Sequence, residues 1–305
     1  MPELPEVQTT VDGLNKEVKG LHITDIWTDY RSHFHAGKEN IKNPRYFERF
    51  KKEVLGAKIT GTERHGKNIL IHLNNNKTIL AHMKMTGHFI VGRYTFDTKA
   101  KTWRPQTTSG PLLDPLNKFI HLVFSLSDKR QLVFSDLRKF AKVFLFESKN
   151  THAIEDLTRL GPDPLNKKFT LKKMHEQLAL KPHSKIKQAL MDQNIISGIG
   201  NIYSDEMLWG ASIHPLSIIE KIPAQALKKL YLAMQNVLRA GIDFGGDSDS
   251  DYRNIHGERG NFQNKHNAYR RTGKPCSRRG CGGTIHRLKI NGRSAHFCDT
   301  HQRRY

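Results

Sequence analysis

Apolar positions near the start of the chain recur at helical spacing. Val7, Val11, Leu14 and Val18 share one face, Pro5 suits a first turn and Gly20 suits a stop. The period then shortens. Between residues 21 and 147, β-branched and aromatic side chains gather in the runs His22–Trp27, Asn68–Leu73, Thr78–His82, Ile120–Phe124, Gln131–Phe134 and Lys142–Phe146. Runs this short, separated by turn residues, predict a sandwich or barrel-like β domain. Residues 94–118 are polar and Pro-containing, and read as a long loop.

The pattern changes near Glu147–Asn150. Helical spacing returns at Leu171–Leu180, Ser184–Gln193, Gly200–Leu208 and Ala224–Ala240, with Ile199-Gly200-Asn201 in a short turn. Gly198 and Gly200 supply backbone freedom there. Gly241–Lys274 is polar and Gly-rich and reads as a linker or mobile loop. Thr284–Ile290 and Ser294–Phe297 flank Asn291-Gly292, which favours a type I′ hairpin. The expected class is α+β and multidomain. No repeat of solenoid length interrupts this order.

Charge narrows the partners. Fifty Lys and Arg against 29 Asp and Glu give +21 over 305 residues. Each phosphate neutralised by Lys or Arg releases counterions, so such an excess favours polyanions. No run of about 18 apolar residues is present to span a membrane. The start carries Glu3 and Glu6 and lacks an apolar core, so it does not read as a signal peptide. Nucleic acid is the expected partner.

The cysteines, Cys276, Cys281 and Cys298, all lie in the last 30 residues. Their odd number argues against a disulfide framework. The spacing Cys276-x4-Cys281-x16-Cys298-x2-His301 instead suits two metal knuckles joined by a hairpin. Three thiolates and one imidazole form a closed tetrahedral set, so one structural Zn²⁺ is expected. His296 is an alternative fourth ligand. A terminal piece so poor in apolar residues needs the metal to fold.

The opening Met1-Pro2-Glu3-Leu4-Pro5-Glu6-Val7 is unusual. Initiator Met is normally removed before a residue as small as Pro, leaving a free secondary amine. At an α-amino pKa of about 7.7–8.0, roughly a tenth to a fifth is unprotonated at neutral pH, enough for a nucleophile. Alone, these residues simply begin a helix.

Further segments follow in order: Arg64-His65-Gly66-Lys67, Lys84-Met85-Thr86-Gly87, Asp136-Leu137-Arg138-Lys139-Phe140, Leu160-Gly161-Pro162-Asp163-Pro164-Leu165 and Leu190-Met191-Asp192-Gln193. Gly198-Ile199-Gly200-Asn201-Ile202-Tyr203, Gly257-Glu258-Arg259-Gly260-Asn261-Phe262 and the cysteine hairpin complete the set. This ordered set resembles the formamidopyrimidine-DNA glycosylase family along the whole chain. The resemblance implies an N-terminal helix plus β-sandwich, a helix–two-turns–helix domain and a C-terminal zinc-finger β-hairpin. It suggests a catalytic domain at 1–148, the helical domain at 149–244, a lesion-covering loop and linker at 245–269, and the zinc finger at 270–305.

The resemblance also implies roles. Pro2 attacks C1′ of the damaged nucleotide, displacing the base and forming an imine, while Glu3 handles protons. The positive iminium acidifies the C2′ proton, so β- and then δ-elimination cut the backbone. Lys67 sits near base and phosphate, and Arg293, after the hairpin turn, grips a phosphate. Lys187 and Asn201 match phosphate contacts, against plainer places on a solvated face and at a helix cap. Met85, Arg138 and Phe140 match side chains that fill the gap left by a flipped base. Glu6 is grouped with the DNA-contacting residues. The family further implies oxidised or ring-opened purines in duplex DNA as substrate, a monomer, and a bacterial, cytoplasmic, nucleoid-associated protein.

Several positions depart from the family pattern. His301 stands where Cys is usual, Lys139 replaces a second arginine, and Phe119 replaces a common histidine. In Gly245–Tyr252, Ser250 stands where a basic residue is usual, which bears on lesion preference. Residues 94–118 exceed the usual length. Two other readings are an endonuclease VIII-like enzyme for oxidised pyrimidines and a catalytically silent DNA-binding protein. Leu4 speaks against the first, because that branch usually has Gly there. Retention of Pro2, Glu3, Lys67 and Arg293 together speaks against the second.

Overall fold

The computed structural model describes residues 1–249 and 251–305; Ser250 lies outside the described residues. The chain divides into two compact units: residues 1–155 with 244–261, and residues 156–243 with 262–305.

In the first unit, α1 (Leu4–Glu17) begins where Glu6 caps the backbone of Glu3 (N···Oε2 2.8 Å). Pro5 costs nothing there, because first-turn N–H groups have no helical partner. Val7, Val11 and Leu14 form its buried face. The strands are β1 (Ile23–Thr28), β2 (Ile59–His65), β3 (Asn68–Leu73), β4 (Lys77–His82), β5 (His88–Gly92), β6 (Tyr94–Asp97), β7 (Thr102–Pro105), β8 (Ile120–Leu126), β9 (Gln131–Ser135) and β10 (Lys142–Glu147). They build two four-stranded antiparallel sheets, ordered β1-β8-β9-β5 and β10-β4-β3-β2. Strands β3 and β4 are apolar and buried along nearly their whole length, as expected of strands covered on both faces. Helix α1 packs against β2 and β3 of one sheet and β5 of the other. The expected helix plus β-sandwich is the fold found.

Four features escaped the periodicity, the first being the buried strand β5. Helix α2 (Pro44–Val54) is capped by Asn43, whose side chain accepts the Arg45 N–H, and buries Tyr46, Phe47, Phe50 and Val54. Strand β2 holds Gly61 and charged residues: Thr62 and Arg64 bond to Asn15 and Gln8 of α1, while Thr60, Glu63 and His65 are exposed. Residues 94–118 are not a structureless loop: β6 and β7 form a hairpin, followed by short 3₁₀ turns at Pro111–Leu113 and Pro115–Lys118. Phe96 and Trp103 are cross-strand partners there, and both rings pack on Trp27 of β1, at 5.6 and 6.1 Å between centroids. That aromatic contact turns a polar-looking stretch into an ordered one.

The helix α3 (Glu155–Thr158) stands at the border between the units. The second unit contains α4 (Leu171–Ala179), α5 (Ile186–Met191), α6 (Asn201–Ala211) and α7 (Ala224–Asp243), then β11 (Ile285–Ile290) and β12 (Arg293–Cys298). Between α5 and α6, Gln193 pins the turn by donating to the Ile199 carbonyl (2.8 Å) and accepting the Gly198 N–H (2.9 Å). Gly161 packs beneath it; a Cβ there would lie 2.5 Å from the Ile195 carbonyl carbon, so no larger residue fits. Among the described residues, no helix is long and apolar enough to cross a membrane.

Candidate active site and metal centre

Pro2 and Glu3 are buried at the start of α1, and Met1 remains partly exposed. The register between α1 and β2 fixes where that start lies. Asn15 exchanges hydrogen bonds with the Thr62 backbone (2.7 and 2.8 Å), and Gln8 accepts from Arg64 (2.8 Å). As β2 ascends, α1 descends. The steps from Gln8 back to Glu3, at about 1.5 Å each, and from Arg64 onward, at about 3.4 Å each, therefore run toward the same end. Lys67, only 7% exposed, occupies that end on the turn into β3. Gly66 takes the positive φ the turn requires.

Glu6 is 1% exposed, and its carboxylate accepts two backbone N–H groups, Glu3 through Oε2 (2.8 Å) and Asp247 through Oε1 (2.7 Å). Tyr252 adds a bond from its hydroxyl to the Glu6 carbonyl (3.1 Å). Burial raises the Tyr252 pKa, which keeps the phenol a donor. The segment 244–261 thus begins beside the N-terminus. Its polarity is spent on internal bonds, including Ser248 Oγ to Tyr252 O (2.7 Å) and Gly260 N to Ser248 Oγ (2.8 Å). It is no slack linker.

Two neighbouring turns carry Met85, Arg138 and Phe140. Thr86 donates to Asp136, the Arg138 N–H bonds Thr86 Oγ1 (3.1 Å), and the other Asp136 oxygen accepts from Tyr30 and the Ala141 N–H (2.9 Å each). Burial, then the Asp136 charge, pushes the Tyr30 phenol well above its ordinary pKa, so it stays protonated. This lattice leaves Met85 39% and Phe140 49% exposed, with the Arg138 guanidinium 4.5 Å from the Phe140 ring centroid. Large apolar groups held outward on bonded turns are available to a ligand.

In the second unit, Asn291 (φ 44°) and Gly292 (φ 80°) make the tight turn, and Arg293 stands exposed beside it. Lys187 is not on a solvated face. It is 1% exposed and paired with Asp205 (2.5 Å), whose other oxygen accepts from the His296 backbone (3.0 Å) and Nδ1 (2.9 Å). The trio fastens β12 to α5 and α6. Lys187 and Arg293 also line one cavity of about 310 Å³, with Lys181, Gln188 and Asn291. Asn201 opens α6, half-buried, and lines a second cavity with Tyr269, Arg270 and Arg287.

The metal ligands converge. One ligand atom from each of Cys276, Cys281, Cys298 and His301 lies within 4.8 Å of all the others. Tetrahedral zinc with bonds of about 2.3 Å to sulfur and 2.0 Å to nitrogen needs S···S edges of about 3.8 Å and S···N edges of about 3.5 Å. The structure gives 3.5 Å for Cys281–Cys298 and 3.5 and 3.6 Å from His301 Nδ1 to Cys276 and Cys281. The set fits one structural zinc. His301 is the imidazole in the cluster, because His296 is committed to Asp205. His301 Nε2 faces the Trp209 carbonyl (3.2 Å), and Trp209 Nε1 donates to Cys276 Sγ (3.3 Å). Such outer contacts orient ligands.

The motifs contain Thr86 and Asp136 but give them no role, and Asp205 lies outside them; their side-chain partners stand 18 to 106 residues away. Sequence reasoning also missed Glu206, fully buried, with its carboxylate accepting the N–H groups of Asn267, Ala268 and Tyr269 (2.8–2.9 Å). Burial raises its pKa. A buried acid inside a helix, whose backbone partners lie 61 to 63 residues further along the chain, gives no local signal.

Comparison with known proteins supplies the context for these groups. The profile of the formamidopyrimidine-DNA glycosylase N-terminal domain matches residues 1–143, that of its H2TH domain residues 160–253, and a zinc finger found in FPG and IleRS residues 273–300. The formamidopyrimidine-DNA glycosylase of Herpetosiphon aurantiacus is 35% identical over 98% of both chains. That of Bacillus subtilis is 32% identical, again over 98% of both. Among solved structures, Lactococcus lactis Fpg in complex with an abasic site containing DNA superimposes with a TM-score of 0.81 at 30% identity, covering 99% of this chain and 100% of that one. The same protein bound to Fapy-dG containing DNA gives 0.80 at the same identity and coverage. The chain belongs to the formamidopyrimidine-DNA glycosylase family.

Proposed function

We propose that the protein is a base-excision-repair glycosylase and AP lyase that removes oxidised or ring-opened purines from duplex DNA. The observation that carries this reading is the start of α1. Pro2 and the buried Glu3 are tied through Glu6 to Asp247, with Lys67 at the same end of the helix–strand pair. After removal of Met1, the Pro2 nitrogen attacks C1′, the N-glycosidic bond breaks, and the base leaves with a proton. The C1′–O4′ bond then breaks, the ring oxygen takes a proton and the nitrogen lone pair completes an iminium at C1′; loss of the acidified C2′ proton expels the 3′ phosphate, and a second elimination expels the 5′ phosphate. Glu3 moves protons at the opening sugar, and Lys67 offers a cation to base and phosphate.

Met85, Arg138 and Phe140 occupy the gap left by the flipped nucleotide, replacing part of the few kcal/mol of lost stacking. Arg293, Asn201 and Lys187 belong to the phosphate grip, Lys187 from behind its ion pair with Asp205. Zinc acts as a staple for the hairpin that carries Arg293. Absence of the usual basic residue at Ser250 favours ring-opened purines and abasic sites over 8-oxoguanine. The net charge of +21 supports a DNA partner. A monomer acting on the nucleoid in the cytoplasm fits this reading.

Duplex oligonucleotides carrying a formamidopyrimidine, 8-oxoguanine, an oxidised pyrimidine or an abasic site test it, using single-turnover rates. Fast cleavage at formamidopyrimidine and abasic sites is expected. Oxidised pyrimidines cleaved much faster than purine lesions would replace this reading by the endonuclease VIII type.

A further inference from the structure

The segment 244–261 is anchored at two separated places. Its early part, at Asp247, joins Glu6 beside the N-terminus (2.7 Å). Its later part is fastened to the 3₁₀ turns that end residues 94–118. Arg253 is 4% exposed, and its Nε donates to Asp114 Oδ2 (2.9 Å), while Nη1 donates to the Tyr252 carbonyl (2.8 Å). Asp114 Oδ1 is occupied by the Leu116 N–H (2.9 Å), so the carboxylate faces Arg253 in a fixed pose.

Asn117, 1% exposed, completes the fastening. Its amide donates to the carbonyls of Pro111 (2.8 Å) and Gly257 (3.0 Å), so its oxygen must accept from His88 Nε2 (2.9 Å) on β5. Gly257 has φ +81°, and a Cβ there would lie 2.6 Å from Asn117 Nδ2. Only glycine allows this approach. Strand β5 adds a backbone bond from Val91 N to Ile255 O (2.8 Å).

Asp114–Arg253 is therefore a charge-assisted bond with one partner almost fully buried, the kind whose loss is felt. Burial raises the Asp114 pKa, but the Arg253 guanidinium and the Leu116 N–H outweigh it and leave the carboxyl below its ordinary value. The Asp114 carboxyl is ionised at neutral pH. Residues 111–118 are thus a brace, and the braced segment begins beside the proposed reaction centre.

We propose that Asp114 and Arg253 are positioning residues that hold segment 244–261, to which the family resemblance gives the lesion-covering role, and so control base release more than cleavage of the exposed sugar. This rests on the glycosylase reading above. Base release needs the damaged base held after flipping, whereas an abasic site has no base to hold. Releasing the brace should therefore separate the two activities.

Full-length Asp114→Ala and Arg253→Met are compared with wild type on formamidopyrimidine and abasic duplexes, with Arg253→Lys as the conservative variant. The expected result is a fall of about tenfold in the base-excision rate, equivalent to about 1.4 kcal/mol, with abasic-site cleavage within about twofold. Arg253→Lys recovers part of the loss. Parallel loss of both activities, or no change in either, overturns the proposal. Amide exchange of the unliganded proteins decides the matter independently of activity. Faster exchange at 254–260 in Asp114→Ala, with α6 unchanged, supports the brace; unchanged exchange there overturns it. A wild type inert on every duplex would sink the glycosylase reading and leave the exchange result to stand.

Discussion

Glu6 Oε1 accepts the backbone N–H of Asp247 at 2.7 Å, while Oε2 accepts that of Glu3 at 2.8 Å. One buried carboxylate thus sets both the first turn of α1 and the entry of segment 244–261. Glu6→Gln keeps the shape but gives one acceptor and one donor against two N–H groups. Hydrogen bonds to a charged group contribute about 1.5–3 kcal/mol. The variant is expected to lower thermal stability and to slow base excision. Calorimetry and single-turnover assays check both. Wild-type values in each would show that the carboxylate is dispensable.

The zinc set makes a separable prediction. One zinc per chain is expected, and His301→Ala loses it while His296→Gln retains it, because His296 serves Asp205 instead. Metal analysis of the purified variants gives the answer. Retention in His301→Ala with loss in His296→Gln would reverse the ligand assignment.

Phe140 and Met85 stand outward on bonded turns, so truncation should spare the fold. Phe140→Ala is expected to slow excision of a paired lesion by about tenfold, a fraction of the few kcal/mol that flipping costs. Thermal denaturation should stay near wild type. A large fall in stability would mean that Phe140 serves packing instead.

These outward residues also show what the sequence could reveal. Val7, Val11 and Leu14 announced α1, and Asn291-Gly292 announced the hairpin, because helix and turn propensities are local. The three cysteine ligands were legible from spacing alone, and His301 was the expected fourth with His296 as its alternative until Asp205 was seen to claim His296. The brace on segment 244–261 was not legible. Asp114 and Arg253 lie 139 residues apart, and each looks like an ordinary surface charge. Residues 94–118 misled for the same reason: Trp103 gains its meaning only from Trp27.

His88 supplies a pH prediction. Burial is the main cause that lowers its pKa below the ordinary value. An unfolded histidine takes up a proton near pH 6.5, whereas folded His88 resists until lower pH, so the unfolded chain binds more protons between the two. The stability from this site is complete above about pH 6.5 and declines as pH falls below it. Imidazole NMR should show His88 as the Nε2–H tautomer, titrating below 6.5. Titration at or above that value would contradict the buried, neutral assignment.

The central claim concerns the Pro2 nitrogen, and borohydride trapping followed by peptide mapping tests it most directly. Wild-type protein is incubated with abasic or formamidopyrimidine duplex plus borohydride, digested, and the adduct located by mass spectrometry. One DNA adduct is expected, on the N-terminal peptide beginning at Pro2 and only in chains that have lost Met1. An adduct on a lysine side chain such as Lys67, or strand cleavage with no trapped adduct, would contradict it.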